Sequence, residues 1–231
     1  MRMRLYDETS LSGPDPIEQI LLRNAFWQLY VCDKTALVIK TRPVLIHEPH
    51  LDTVLTLEAY SRYPVLLFDH GVEADGARIK DSLLGGSYVV RRLWALAPRV
   101  IQGIELHSKR NLDPFTDMEA YHDRIANLSE AYFEMITLTN NHPVLVRTPD
   151  EPALDISRSA DQHLVEILQR QRTSYLISLY TIKVIVLHLV IEYNMTEVIG
   201  LSSEPLILAM RQIELAQDFL NALESALFLH L

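Results

Sequence analysis

Four groups of residues in this sequence could do chemistry. The densest is His47-Glu48-Pro49-His50-Leu51-Asp52, whose two imidazoles and two carboxylates form a donor set for a divalent metal. Pro49 separates the histidines and denies them a helical i, i+4 pairing, and no third histidine follows at ligand spacing. No metal ligand and no catalytic residue is therefore assigned. The second group lies in the apolar run Tyr175–Tyr193, which carries Tyr180, Lys183, His188 and Glu192. His188 and Glu192 stand at i, i+4 and can pair on one face, which Lys183 does not easily share. Such groups either snorkel to an edge and find hydrogen bonds, or line an internal pocket and orient a ligand. Third, Arg91-Arg92-Leu93-Trp94 sets two cations beside an indole, as a solvated basic edge or as a grip for an anion. Tyr180, Lys183, His188, Glu192, Arg92 and Trp94 are thus the ligand-pocket candidates. In the fourth group Phe26 and Tyr30 stand at i, i+4, with Arg23 one turn before and Asp33 three residues after. A carboxylate on an aromatic stripe is costly to bury unless a cation meets it, and Arg42, followed by Pro43, is the nearest candidate.

The elements that must position these groups read as helices. Asp15 can cap, and Pro16 open, a helix over about 17–39 whose apolar spacing is Ile17, Leu21, Ala25 or Phe26, and Leu29. Pro43 ends it. Residues 44–76 are irregular. There Pro64–Phe68 is a short strand or a buried helical turn, and His70–Gly76 is a turn-rich loop without a phosphate-binding glycine pattern. Helical spacing returns over about 81–107, in two pieces because Gly85-Gly86 and Pro98 interrupt it. Thr116 or Asp117 starts a helix reaching Ile136. Asn140-Asn141-His142-Pro143 and Pro149-Asp150-Glu151-Pro152 mark an internal linker at 139–156. A helix beginning near Ser157 or Ser159 then enters the apolar run. That run is long enough to cross a bilayer, for which about 20 residues suffice. Lys183, His188 and Glu192 argue instead for a helix buried nearly all round in a soluble core. The last helix opens at Ser202 or Ser203, with Glu204 and Pro205 in its first turn. Leu206, Met210, Ile213, Ala216 or Gln217, Leu220, Leu223 and Leu227 form its apolar stripe.

The expected fold is all-α: an irregular multi-helix array with little or no sheet, forming one domain over 1–231. Composition agrees. Hydrophobic residues make up 48% and charged residues 22% of the 231, and only 7 are glycine, which favours long helices over many tight turns. The formal net charge of −9 repels phosphate backbones, so neither nucleic acid nor an anionic membrane is an expected partner. Cys32 is the 1 cysteine, which excludes an intramolecular disulfide and a multi-cysteine metal site. Its apolar neighbours suggest a buried, inert thiol and an intracellular setting. The first residues show no secretory signal, and the apolar ending at Leu227–Leu231 suggests a piece of a longer protein.

The stretch Arg23, Phe26-Trp27, Tyr30, Asp33, then Arg42-Pro43 resembles the fungal-specific transcription-factor domain, the middle homology region of fungal binuclear zinc cluster regulators. Tyr180–His188, the loop Glu197–Ser202 and the helix Ala209–Asp218 are similar to that family's later landmarks in order. Relatives carry Gly before the Arg-Pro pair. Here Thr41 stands there, which argues against a positive φ at that position. The resemblance implies a nuclear, all-helical regulatory domain without catalysis. It marks Arg23, Phe26, Trp27, Asp33, Arg42 and Pro43 as family-motif residues, and it implies control over DNA-binding and activating regions absent from this chain. Zinc, in that family, belongs to a six-cysteine DNA-binding module that this sequence lacks, so no cofactor is expected here. The implied partners are a small metabolite inducer and other segments of the same regulator or coregulators, and the domain itself is expected to be monomeric or a weak homodimer.

Three functions follow. The first is an effector-sensing regulatory domain of a transcription factor. The second is a helical protein–protein interaction scaffold without a small-molecule ligand, which an exposed apolar groove in place of a closed pocket would favour. The third is an all-helical metal-dependent enzyme built on His47, Glu48, His50 and Asp52.

Overall fold

The computed structural model describes residues 15–41, 43, 45–46, 74–109, 118–138 and 162–227. Among them the fold is all-α, with no strand. Its elements are α1 (Pro16–Val38), α2 (Ala74–Lys109), α3 (Met118–Ile136), α4 (Gln162–Glu192), a 3-10 turn η1 (Thr196–Ile199) and α5 (Pro205–Leu227). The chain divides into two compact units, residues 1–72 and 73–231. The expected linker at 139–156, the segment Pro64–Phe68 and the donor set His47, Glu48, His50 and Asp52 lie outside the described residues, and the expected loop His70–Gly76 gives way at Ala74 to the start of α2.

In the first unit α1 starts at Pro16, where a missing N–H costs nothing. Its buried side is not the spacing read from Ile17. Leu21 and Leu29 are exposed, while Phe26, Trp27, Tyr30, Asp33, Lys34 and Val38 are buried. The aromatic residues decide the orientation: Trp27 packs edge-on against both Phe26 and Tyr30, with ring centroids 5.3 and 5.4 Å away. Cys32, two residues past Tyr30, turns to the opposite side and is exposed, against the expectation of a buried thiol.

The helix ends in a left-handed turn at Lys40, whose φ is +55°. Lys40 N–H donates to the Leu37 carbonyl at 3.0 Å and Thr41 N–H to the Ala36 carbonyl at 2.9 Å, the paired bonds of a Schellman cap. The positive φ thus falls one residue before Thr41, which keeps an ordinary backbone.

The Asp33 carboxylate faces the chain beyond this cap. It accepts the backbone N–H groups of Leu45 at 2.9 Å and of Ile46 at 3.0 Å. Lys34, over the Tyr30 ring, donates to the Ile46 carbonyl at 2.8 Å. The expected pairing with Arg42 lies outside the described residues; within them, main-chain donors satisfy the carboxylate. Each bond to a charged acceptor contributes about 1.5–3 kcal/mol.

The second unit is organised on α4, against which α2, α5 and η1 all pack; α3 packs on α2 and η1. Tyr175, Leu179, Ile182, Val186, Leu187, Leu189 and Val190 are buried, each apolar side chain contributing about 1.5–3 kcal/mol. The helix is nevertheless not buried nearly all round. Val184 is 42% exposed and His188 stands at the surface.

Nor is α2 two pieces. It runs unbroken through Gly85-Gly86 and Pro98. Pro98 itself is buried, and its neighbours Leu93, Leu96, Ala97, Val100, Ile101 and Ile104 are nearly inaccessible. Packing on both sides of the proline offsets the roughly 3 kcal/mol that it costs inside a helix. Two of its glycines allow close approach. A Cβ on Gly86 would lie 2.3 Å from Gln171 Oε1 of α4, and one on Gly103 would lie 2.3 Å from Leu128 Cδ2 of α3.

The turn from α4 to α5 repeats the capping chemistry of α1 twice. Asn194, at φ +54°, precedes Met195, whose N–H reaches the Val190 carbonyl at 2.7 Å. Gly200, at φ +70°, closes η1, with Leu201 N–H on the Thr196 carbonyl at 3.1 Å. Beside η1, Tyr121 donates its hydroxyl hydrogen to the Glu197 carboxylate and stacks edge-on with His107, tying α2, α3 and η1 together. Burial and that carboxylate push the Tyr121 phenol up to about 12. The His107 imidazole is lowered, first by burial and then by Arg124, with Glu197 acting in the opposite sense.

The Asp33 geometry predicts that Asp33→Ala lowers stability by about 2–4 kcal/mol through the loss of two charge-assisted bonds. Amide exchange at Leu45 and Ile46 should accelerate in the same variant. A loss below about 1 kcal/mol with unchanged exchange at both amides would show that the carboxylate does not hold this segment.

Candidate functional site

The described residues form a groove of about 370 Å³ in the second unit, partly open to solvent. Its walls are mostly apolar. Phe133 and Ile136 come from α3, Ile199 and Leu201 from η1 and the residues after it, and Ile207 and Met210 from the first turns of α5. The polar end is made by Tyr132, Arg211 and Glu214. Arg211 Nη1 donates to Glu214 Oε2 at 3.0 Å, and its positive charge also acts on the Tyr132 phenol.

Behind this end lies a second polar layer between α4 and α5. Lys183 Nζ sits over the Tyr180 ring, 5.2 Å from its centroid, and Tyr180 packs against Phe219 at 6.4 Å. Burial, then the nearby positive charge of Arg211, lowers the Lys183 ammonium below its usual 10.5; Asp218 opposes this. Burial raises the Tyr180 phenol, helped by Asp218 and opposed by Arg211. Burial likewise raises the Tyr132 phenol, with Arg211 working against it. Arg211 is therefore the charge shared by all three groups.

None of the six ligand-pocket candidates lines the groove; Tyr180 and Lys183 meet in the layer between α4 and α5. His188 and Glu192 do form their i, i+4 pair, at 3.9 Å, but on the exposed side of α4. Trp94 is buried in α2. Arg92 is engaged by Glu134 of α3 and Arg91 is buried, so this pair is not a solvated basic edge. Among the described residues, no group of three or more His, Cys, Asp and Glu is arranged to hold a metal ion.

The groove was not legible in the sequence, where the apolar stripe of α5 shows no sign of the side it faces. In the structure most of that stripe faces solvent. Leu206, Met210, Ile213 and Leu220 are 67, 54, 58 and 58% exposed, whereas Leu215 and Ala222 are buried. The signal for a second apolar side was present: Leu208, Leu215 and Ala222 recur at a spacing of seven, as do Leu206, Ile213 and Leu220. Nothing in the sequence said which set faces α4.

The chain matches no family model, no curated protein and no solved structure.

Because burial disfavours the Lys183 ammonium in the fold, the unfolded chain binds more protons between that lowered pKa and 10.5. Stability owed to Lys183 accordingly rises with pH across this window. In a titration of isotopically methylated lysines, Lys183 should titrate below 10.5, with Asp218→Asn moving it lower and Arg211→Gln moving it up. A Lys183 midpoint indifferent to both changes would remove Arg211 as the organising charge.

Proposed function

We propose that this chain is a regulatory domain of a nuclear transcription regulator, of the kind that the Arg23–Pro43 motif resembles. In this reading it controls DNA-binding and activating regions outside the chain by docking a protein segment in the α3–η1–α5 groove. The observation that carries the reading is the form of the groove. It is partly open to solvent, mostly apolar, and continuous with the exposed residues of α5. Small-molecule sites bury most of a ligand's surface, whereas a partly open apolar groove suits a segment of chain. The all-α architecture and the negative charge also support a module that does not itself contact DNA. Any zinc would belong to a DNA-binding module elsewhere.

Lys183 favours a second reading. Its partly buried ammonium packs on a ring, and among the described residues no carboxylate lies at ion-pair distance from it. A small anionic metabolite reaching between α4 and α5 would complete that charge, and the domain would then be an inducer sensor.

The experiment for the first reading places the chain between a heterologous DNA-binding module and an activating segment. Reporter output should fall by at least about fivefold relative to the fusion lacking the chain, as a regulatory coupling of 1 kcal/mol or more requires. Met210→Glu, at an exposed groove position, should restore it. Equal output with and without the chain sinks the regulatory reading. The second reading predicts stabilisation by about 2.7 kcal/mol at 100 times the dissociation constant of an anionic metabolite. A thermal-shift screen of sugar acids and aromatic carboxylates that leaves the melting temperature flat discards it.

A further inference from the structure

Helix α5 is apolar on two opposite sides. One side packs on α4 through Leu215 and Ala222. The other presents Leu206, Met210, Ile213 and Leu220 to solvent, at successive spacings of four, three and seven, with Gln217 at the intervening position. This is the spacing of a coiled-coil seam, and a seam of that period is complementary to another helix rather than to a strand or a loop. From Leu206 to Leu220 it extends about 21 Å at 1.5 Å per residue. Ile207 and Met210 also line the groove, so seam and groove form one continuous apolar surface.

Charge selects among the helices that could cover it. Residues 204–227 carry Glu204, Glu214, Asp218 and Glu224 against the single cation Arg211, which Glu214 already engages. The chain as a whole carries −9. A second copy would bring the same carboxylates to the seam, and a surface of anionic lipid would meet the same repulsion. A cationic helix meets attraction instead, most directly at Glu214 and Glu224.

We propose that the outward face of α5, with the groove that continues it, is the docking site of a partner helix that is amphipathic and basic, with apolar residues at i, i+3, i+4 and i+7 and Lys or Arg flanking them. This rests on the reading of the chain as a protein-docking regulatory domain and names the chemistry of what it docks.

The test uses the whole chain and two synthetic helical peptides of identical leucine spacing, one with lysine at every flanking position and one with glutamate there. Fluorescence anisotropy should show the lysine peptide binding at least tenfold tighter than its glutamate twin at low salt, with the gap narrowing as salt is added. The double variant Ile213→Glu/Leu220→Glu, which alters only exposed side chains, should weaken the lysine peptide at least tenfold. Circular dichroism of that variant should match the parent. Equal binding of the twins overturns the proposal, as does binding untouched by the double variant. So do self-association, or uptake onto neutral lipid vesicles, that the double variant abolishes, because either would give the seam another occupant. If reporter repression persists while the lysine peptide fails, the occupant is wrong and the regulatory reading stands. Loss of repression itself would condemn the reading beneath it.

Discussion

What α4 must hide sets the arrangement of the second unit. Its run from Gln169 to Glu192 is long and apolar enough to cross a membrane, yet only 39% of its most apolar window is buried. Tyr175, Ile182, Val186 and Val190 are fully covered, because α2, α5 and η1 all pack against this one helix. Hydrophobic burial is non-directional and scales with area, so the cover is shared among whichever elements can approach closely. Gly86 and Gly103 permit such approaches. The side chain of Gln171 meets α2 where Gly86 has none, and donates to Ser87 Oγ at 2.8 Å. The buried proline of α2 survives for the same reason, since the packing around it outweighs a local backbone defect.

Polar groups inside this fold are satisfied over short distances, and that determines their roles. Asp33 does not serve as one half of a described ion pair; it receives two main-chain N–H groups and so fixes the chain after α1. Desolvating a carboxylate is costly, and two charge-assisted bonds are the compensation that physics requires. Within the Arg23–Pro43 motif, Asp33 is in this sense structural. Lys183 is treated differently: a ring beneath it and Asp218 nearby only partly offset its burial, and Arg211 adds to the cost. An incompletely compensated charge next to a groove is a feature that further binding can complete.

Much of the fold was legible in the sequence. The all-α class, the start of α1 at Pro16, the span of α3 and the His188–Glu192 pair follow from spacing and capping alone. Orientation was not legible. On α1 the apolar positions are spread around the helix, so Leu21 and Leu29 looked as eligible for burial as Phe26 and Tyr30. The aromatic cluster of Phe26, Trp27 and Tyr30 decided the matter through contacts that no periodicity encodes. Cys32 followed the rotation of the helix to the surface. Pro98 misled for a related reason, because propensity is local and the cover that overrides it is tertiary.

The same limit explains α5. Periodicity reports that a helix has an apolar stripe, but a helix with two stripes satisfies the pattern in either orientation. Contact with α4 settles which is used: Leu215 and Ala222 are buried, and Leu206, Met210, Ile213 and Leu220 are left outside. An isolated exposed leucine needs no explanation. Four large apolar side chains in heptad register, continuous with an open groove and edged by carboxylates, are a different case. Helical folding of this segment is already secured by its inner face and by the turns at Asn194 and Gly200. The outer stripe is therefore not needed to hold α5 in place, and its regular spacing points outward, to association.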